Sequence, residues 1–166
     1  LEFYDQHTIK KKDTVQITLD IVADFTDQIV VFRDSSNVKY DSIRLSESYR
    51  TTLSIMNEGP HLDLYEWKGH ESGWIPLADA GTKTFKTKII CEEESKIFPE
   101  FTREELAIAA DKYSDGRWGV LIRKPIFGEW TNSFWIGVGL RRLKIELYNA
   151  GEKQTRILMV YIPMGC

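Results

Sequence analysis

Three tryptophans, Trp118, Trp130 and Trp135, stand among six basic residues between positions 117 and 148. Indole and guanidinium groups in company suit contact chemistry, because each covers a large area at a small entropic cost. The same pairing can stack sugar rings, or unpaired nucleobases above a basic groove. In "SFWIGVGL" (133–140), Phe134, Ile136 and Val138 alternate with Trp135, Gly137 and Gly139. If the first trio faces a core, Trp135 points outward and the two glycines leave its indole uncovered. Trp130 falls in the loop-like "FGEWTN", whereas Trp118 alternates with Val120 and Ile122 and reads as core. The candidate binding residues are therefore Trp130, Trp135, Arg123, Lys124, Arg141, Arg142 and Lys144.

Catalytic and metal chemistry is thinly supplied. The chain has three histidines and two cysteines, and contains no Walker-type loop, no dinucleotide fingerprint, no G-x-S-x-G elbow, no paired Cys-x-x-Cys and no H-E-x-x-H. His61, Asp63 and His70 form the one metal-like set, since alternate strand positions share a face. A third ligand position is unsupported, and exposed polar residues flanking a strand explain the set more simply. Glu92, Glu93 and Glu94 read as a solvated turn. Ser46 and Ser48 have no histidine close in sequence to activate them. No catalytic residue, metal site or cofactor is expected.

The elements that must position these side chains are mostly strands. "TVQITLDIVADF" alternates Val15, Ile17, Leu19, Ile21, Ala23 and Phe25 with mainly polar residues, a period of two. Similar runs follow at 28–33, 38–45, 49–56, 61–67 and 74–77. In "TFKTKIIC", Phe85, Thr87, Ile89 and Cys91 share one expected inward face. One helix interrupts them at 103–113, started by Thr102 and Glu105 at capping-box spacing and stopped by "SDG". Further strands are expected at 118–122, 133–140, 142–148 and 154–162, the last two joined as a hairpin by "NAGE". Gly137 and Gly139 within a strand signal a bulge or a close approach. The expected fold is mainly β: an antiparallel β-sandwich or flattened barrel of about ten strands, with one short helix.

The 166 residues fit a single domain over 1–166. The first residue is Leu1, the pattern of a fragment or processed product of a longer chain. No apolar run approaches the length of a membrane span, and sparse cysteine use weakly favours a reducing, cytoplasmic compartment. The net charge of −3 conceals an asymmetry: residues 1–83 carry 9 Lys/Arg against 14 Asp/Glu, whereas residues 117–166 carry 8 against 3. Opposite ends of this kind pair within one fold or between molecules.

These features rank a non-catalytic protein-binding or assembly domain first, as a homo- or hetero-oligomer acting through 123–144. A carbohydrate-binding sandwich using Trp74, Trp130 or Trp135 ranks second. Binding to an anionic lipid or nucleic-acid surface, led by Lys10, Lys11, Lys12, Arg141, Arg142 and Lys144, ranks third, because the net charge opposes it.

Overall fold

The computed structural model describes residues 8–11, 14–18, 29–31, 39–56, 61–81, 83–124 and 134–164. Two long strands organise it. Strand β4 (Ser42–Met56) pairs antiparallel along nearly its whole length with β9 (Phe134–Asn149). The turn after β9 places Ala150 and Gly151 at positive φ, and β10 (Glu152–Tyr161) returns antiparallel. Two consecutive positive-φ residues match the right-handed twist of the strands they join. This is the hairpin expected from "NAGE".

The main sheet has the order β1 (Thr8–Lys11), β2 (Thr14–Thr18), β10, β9, β4, β5 (His61–Leu64), with the two-residue β6 (Ile75–Pro76) attached to β4. All its pairings are antiparallel except that of β2 with β10. A small second sheet joins β3 (Ile29–Val31), β8 (Thr84–Lys86) and β7 (Asp79–Gly81). The architecture is mainly antiparallel β, as expected, around a curled half-barrel of about six strands; of the two expected forms, sandwich or flattened barrel, a ten-stranded sandwich is not what the strands build.

Helix α2 (Arg103–Tyr113) begins and ends as its sequence predicts. Thr102 Oγ1 accepts from the Glu105 N–H, and the Glu105 carboxylate accepts from the Thr102 N–H, so both early amide donors are satisfied. Its buried side, Leu106, Ala107, Ala109 and Ala110, packs on the sheet. Two further short helices depart from expectation. The glutamates read as a turn form α1 (Glu92–Ser95), and the strand expected over 118–122 is α3 (Arg117–Arg123). Trp118 and Ile122 lie four positions apart, so the run satisfies a helical period as well as a strand period. Contact with α2 decides for the helix: a Cβ on Gly119 would lie only 2.0 Å from Asp111 Oδ1, so a glycine is needed where the two helices meet.

The register of β4 against β9 puts one continuous face inward. Opposed pairs run Ile43/Leu147, Leu45/Ile145, Glu47/Leu143, Tyr49/Arg141, then across a bulge to Thr51/Val138, Leu53/Ile136 and Ile55/Phe134. Gly139 is the bulged residue; it resets the phase so that even positions of β9 face inward before it and odd positions after it. The face carries two apolar clusters. One unites Leu45, Leu143, Ile145, Leu147, Leu158 and Val160 with Val30 and Phe85 of the small sheet. The other unites Leu53, Ile55 and Leu64 with α2 and Ile122 of α3.

Between the clusters lies a buried polar waist. Glu47 and Arg141 form an ion pair, Glu47 Oε2 accepts from the Lys88 N–H at 2.8 Å, and Arg141 donates to the Lys88 carbonyl at 3.0 Å. Thr51 Oγ1 donates to the Ile97 carbonyl at 2.7 Å. Residues 88–97 are thus pinned across the sheet at two points. Because this segment leaves the strand conformation after Lys86, only Phe85 and Thr87 of the expected inward face are buried. Ile89 is instead well exposed, and so is Cys91, which the sequence places among buried thiols.

Candidate functional site

The site is built on the opposite, outward face. There Ser46 and Ser48 of β4 stand opposite Lys144 and Arg142 of β9, which in turn stand opposite Ile157 and Met159 of β10. Alternation forces Arg142 and Lys144 outward because Leu143 and Ile145 are inward. Next along the face come Arg44, Glu146 and Thr155, then Ser42, Tyr148 and Lys153.

Trp74 arrives from a distant part of the chain. After β5 the chain turns through Lys68 and Gly69, both at positive φ, and runs back beside β4. A Cβ on Gly69 would lie 2.3 Å from the Thr51 carbonyl oxygen, so this return needs glycine for room as well as for conformation. Backbone hydrogen bonds from Thr51 to His70 (2.9 Å), Ser72 to Tyr49 (3.0 Å) and Leu77 to Leu45 (2.9 Å) fix the segment on both sides of Trp74. The indole then meets Lys144 Nζ at 4.6 Å and the Arg142 guanidinium carbon at 5.6 Å from its ring centroid. Both distances are in cation–π range. Trp74 stays 40% exposed.

Hydrogen bonds hold Arg142 in place. Arg142 Nε donates to Ser48 Oγ at 3.0 Å, and its terminal nitrogen lies 3.1 Å from Glu71 Oε2. Glu71 also stands 3.6 Å from Arg50, whose guanidinium donates to the Glu66 carbonyl at 3.1 Å. Arg142 and Arg50 therefore share the Glu71 carboxylate while Lys144 stands beside them over Trp74, and the patch is positive. Farther along, Arg44 lies over the Tyr148 ring at 5.2 Å, and Lys153 pairs with Glu146, holding that carboxyl below its usual range.

The seven residues singled out in the sequence do not form one surface. Arg142 and Lys144 are at the site, and Trp135 is on the same face farther along β9, opposite Ser54. Arg141 is turned inward and buried with Glu47, a correction that follows from strand alternation beside Arg142. Arg123 and Lys124 are at the end of α3, where Arg123 pairs with Glu104 and Asp111 of α2. That ion-pair cluster lies on the helices, which cover the inward face. Trp130 lies outside the described residues, as do Lys12 and the side chains of Lys10 and Lys11. Trp118 is half-buried against the helical cluster, though on a helix.

Trp135 points outward and is 38% exposed, but Gly137 and Gly139 beside it are not left open. They admit the segment after β10: Ile162 N–H donates to the Gly139 carbonyl at 2.8 Å, and Met164 Cε lies 3.1 Å from where a Gly137 Cβ would be. His61 and Asp63 share a face as expected, with His61 Nε2 at 3.6 Å from Asp63 Oδ2. His70 is held instead by its backbone along β4, its ring beside Tyr49. Among the described residues no group of three His, Cys, Asp or Glu is placed to hold a metal, and no helix is long and apolar enough to cross a membrane.

The residues that the sequence reading missed are Glu71 and Arg50, while Trp74 was considered only for sugar stacking. Seventy positions separate Trp74 from Lys144, so no local spacing signals their meeting. No protein-family model matches the chain, and no curated protein or solved structure does so either.

Proposed function

We propose that this chain is a non-catalytic protein-binding domain, and that its contact surface is the outward face of the sheet centred on Trp74, Arg142 and Lys144. The observation that carries this reading is an exposed tryptophan ring braced by two cations on a rigid sheet. Trp and Arg are the residue types that dominate binding hot spots, and fixing them beforehand lowers the entropy lost on association. The excess of cations over Glu71 favours a partner surface rich in carboxylates. Ile157 and Met159, half-buried on the adjoining strand, add apolar area beside the charges.

A sugar is a weaker fit at Trp74, because Arg142 and Lys144 already lie over the indole where a pyranose would stack. The test is affinity capture from the native lysate with wild-type protein and Trp74→Ala in parallel, alongside light scattering. The reading expects a captured protein, or a self-associated form, that the substitution removes. A strict monomer that captures the same set with and without Trp74 overturns it.

A further inference from the structure

Segment 88–97 lies on the inward side of the sheet, tied to β4 at both ends. The Lys88 N–H donates to Glu47 Oε2 at 2.8 Å, and the Ile97 carbonyl accepts from Thr51 Oγ1 at 2.7 Å. Glu47 and Thr51 are four positions apart on one strand, so the ties stand about 13 Å apart. Ten residues can span roughly 33 Å when extended, so the segment folds back into a compact, fixed feature. It carries α1, none of whose residues is buried.

This feature is apolar at its ends and acidic between them. Ile89 is 61% exposed and Ile97 46%. Lys96 pairs with Glu92, and Lys88 with Glu94 at 3.4 Å. Glu93, between those two glutamates, forms no ion pair among the described residues. Its own backbone N–H and then the Cys91 side chain hold its carboxyl below the ordinary range, so it is charged at neutral pH.

The outward face offers the counterpart. The Lys144 ammonium lies over the Trp74 ring and has no hydrogen bond or ion pair among the described residues. Ile157 and Met159, opposite Lys144 and Arg142, supply apolar area beside it. An exposed isoleucine and a charged carboxylate therefore match what this face presents. The other well-exposed aliphatic pair, Ile108 of α2 and Val120 of α3, has Lys112, Arg117 and Lys124 one turn away, the same sign as the Trp74 face. Charge thus selects the 88–97 feature over the helices.

Glu47 and Thr51 point inward, whereas Arg142, Lys144 and Trp74 stand on the outward face. Surfaces on opposite faces of one sheet cannot meet within one molecule, nor pair reciprocally across a two-fold axis. A contact between them is heterologous and passes from each molecule to the next.

We infer that the partner seated on the Trp74 face is a second copy of this chain, docked through its residues 89–97, so that copies assemble head to tail. Glu93 of one copy pairs with Lys144 of the next, and the exposed isoleucines cover Trp74 and the Ile157–Met159 strip. The inference rests on the reading of the Trp74 face as a protein contact surface and adds the identity of its occupant.

Sedimentation velocity and light scattering of the full chain over a rising concentration series test it. Trp74→Ala disables the receiving face, and Ile89→Ser with Glu93→Lys disables the donated one. All three positions are exposed, so circular dichroism should show wild-type folding in both variants. The mass of the wild type should grow past a dimer with concentration and fall with added salt. Each variant alone should stay monomeric, with association weakened about thirtyfold or more by Trp74→Ala. Mixed together, the two variants should form a one-to-one complex and grow no further, because each retains one working side. A monomeric wild type, a wild-type assembly that closes as a dimer, a donor variant that associates like wild type, or no complex in the mixture overturns the inference. A monomeric chain that captures a different protein through Trp74 overturns the inference alone, whereas association that survives Trp74→Ala overturns the function proposed above as well.

Discussion

Arg141 of β9 and Glu47 of β4 meet on the inward face of the sheet with 2% and 1% of their side chains exposed, and both bind the backbone of Lys88. A buried pair of this type contributes little net stability, yet loss of one partner strands the other charge. Glu47→Ala or Arg141→Ala should each destabilise the fold by about 3–5 kcal/mol. The double substitution Glu47→Leu with Arg141→Met should recover most of that loss. Urea unfolding of the three variants checks this, and additive losses in the double variant would contradict it.

The same pair explains why the sequence reading divided the two longest strands. "SES" and "RR" look like interruptions, because a polar residue on an inward position normally ends a strand pattern. Glu47 and Arg141 neutralise each other across a 94-residue separation, which no local window reveals. Helix α2 and the β9–β10 hairpin were legible because their signals are local: a capping box and a two-residue turn. Helix α3 was not, since seven residues satisfy both periods and the contact of Gly119 with Asp111 decides.

The glycines of β9 and of the returning segment differ in a checkable way. A Cβ on Gly139 would lie 2.4 Å from Thr52 Oγ1 and 2.5 Å from Thr52 Cβ, whereas one on Gly73 would meet nothing within 4 Å. Gly139→Ala should cost roughly 1–3 kcal/mol through overpacking at the bulge, and Gly73→Ala close to nothing. Thermal unfolding of both variants separates them, and equal stabilities would place the bulge elsewhere.

The capping box carries a pH dependence. The Thr102 backbone N–H and then the Lys68 ammonium hold the Glu105 carboxyl down from 4.5 to about 2. A depressed folded-state value means that ionised Glu105 stabilises above pH 4.5. The contribution is lost as the pH falls from there toward about 2. Glu105→Gln should flatten the fall in Tm across that window. An unchanged slope would mean that the carboxylate is not engaged with the helix start.

Two tryptophans should respond in opposite ways. Trp118 packs against the helical cluster, so Trp118→Ala should cost about 3 kcal/mol of stability. Trp74 lies on the sheet surface and should cost under about 1 kcal/mol. Chemical denaturation of both variants tests the assignment, which reversed losses would contradict.

On the function proposed above, Trp74, braced by Arg142 and Lys144, is where a partner protein binds. Calorimetric titration of a captured partner, or dimer dissociation if the chain captures itself, should show Trp74→Ala weakening association by about 2 kcal/mol, roughly thirtyfold, with the fold intact. Equal affinity for wild type and variant would contradict the claim.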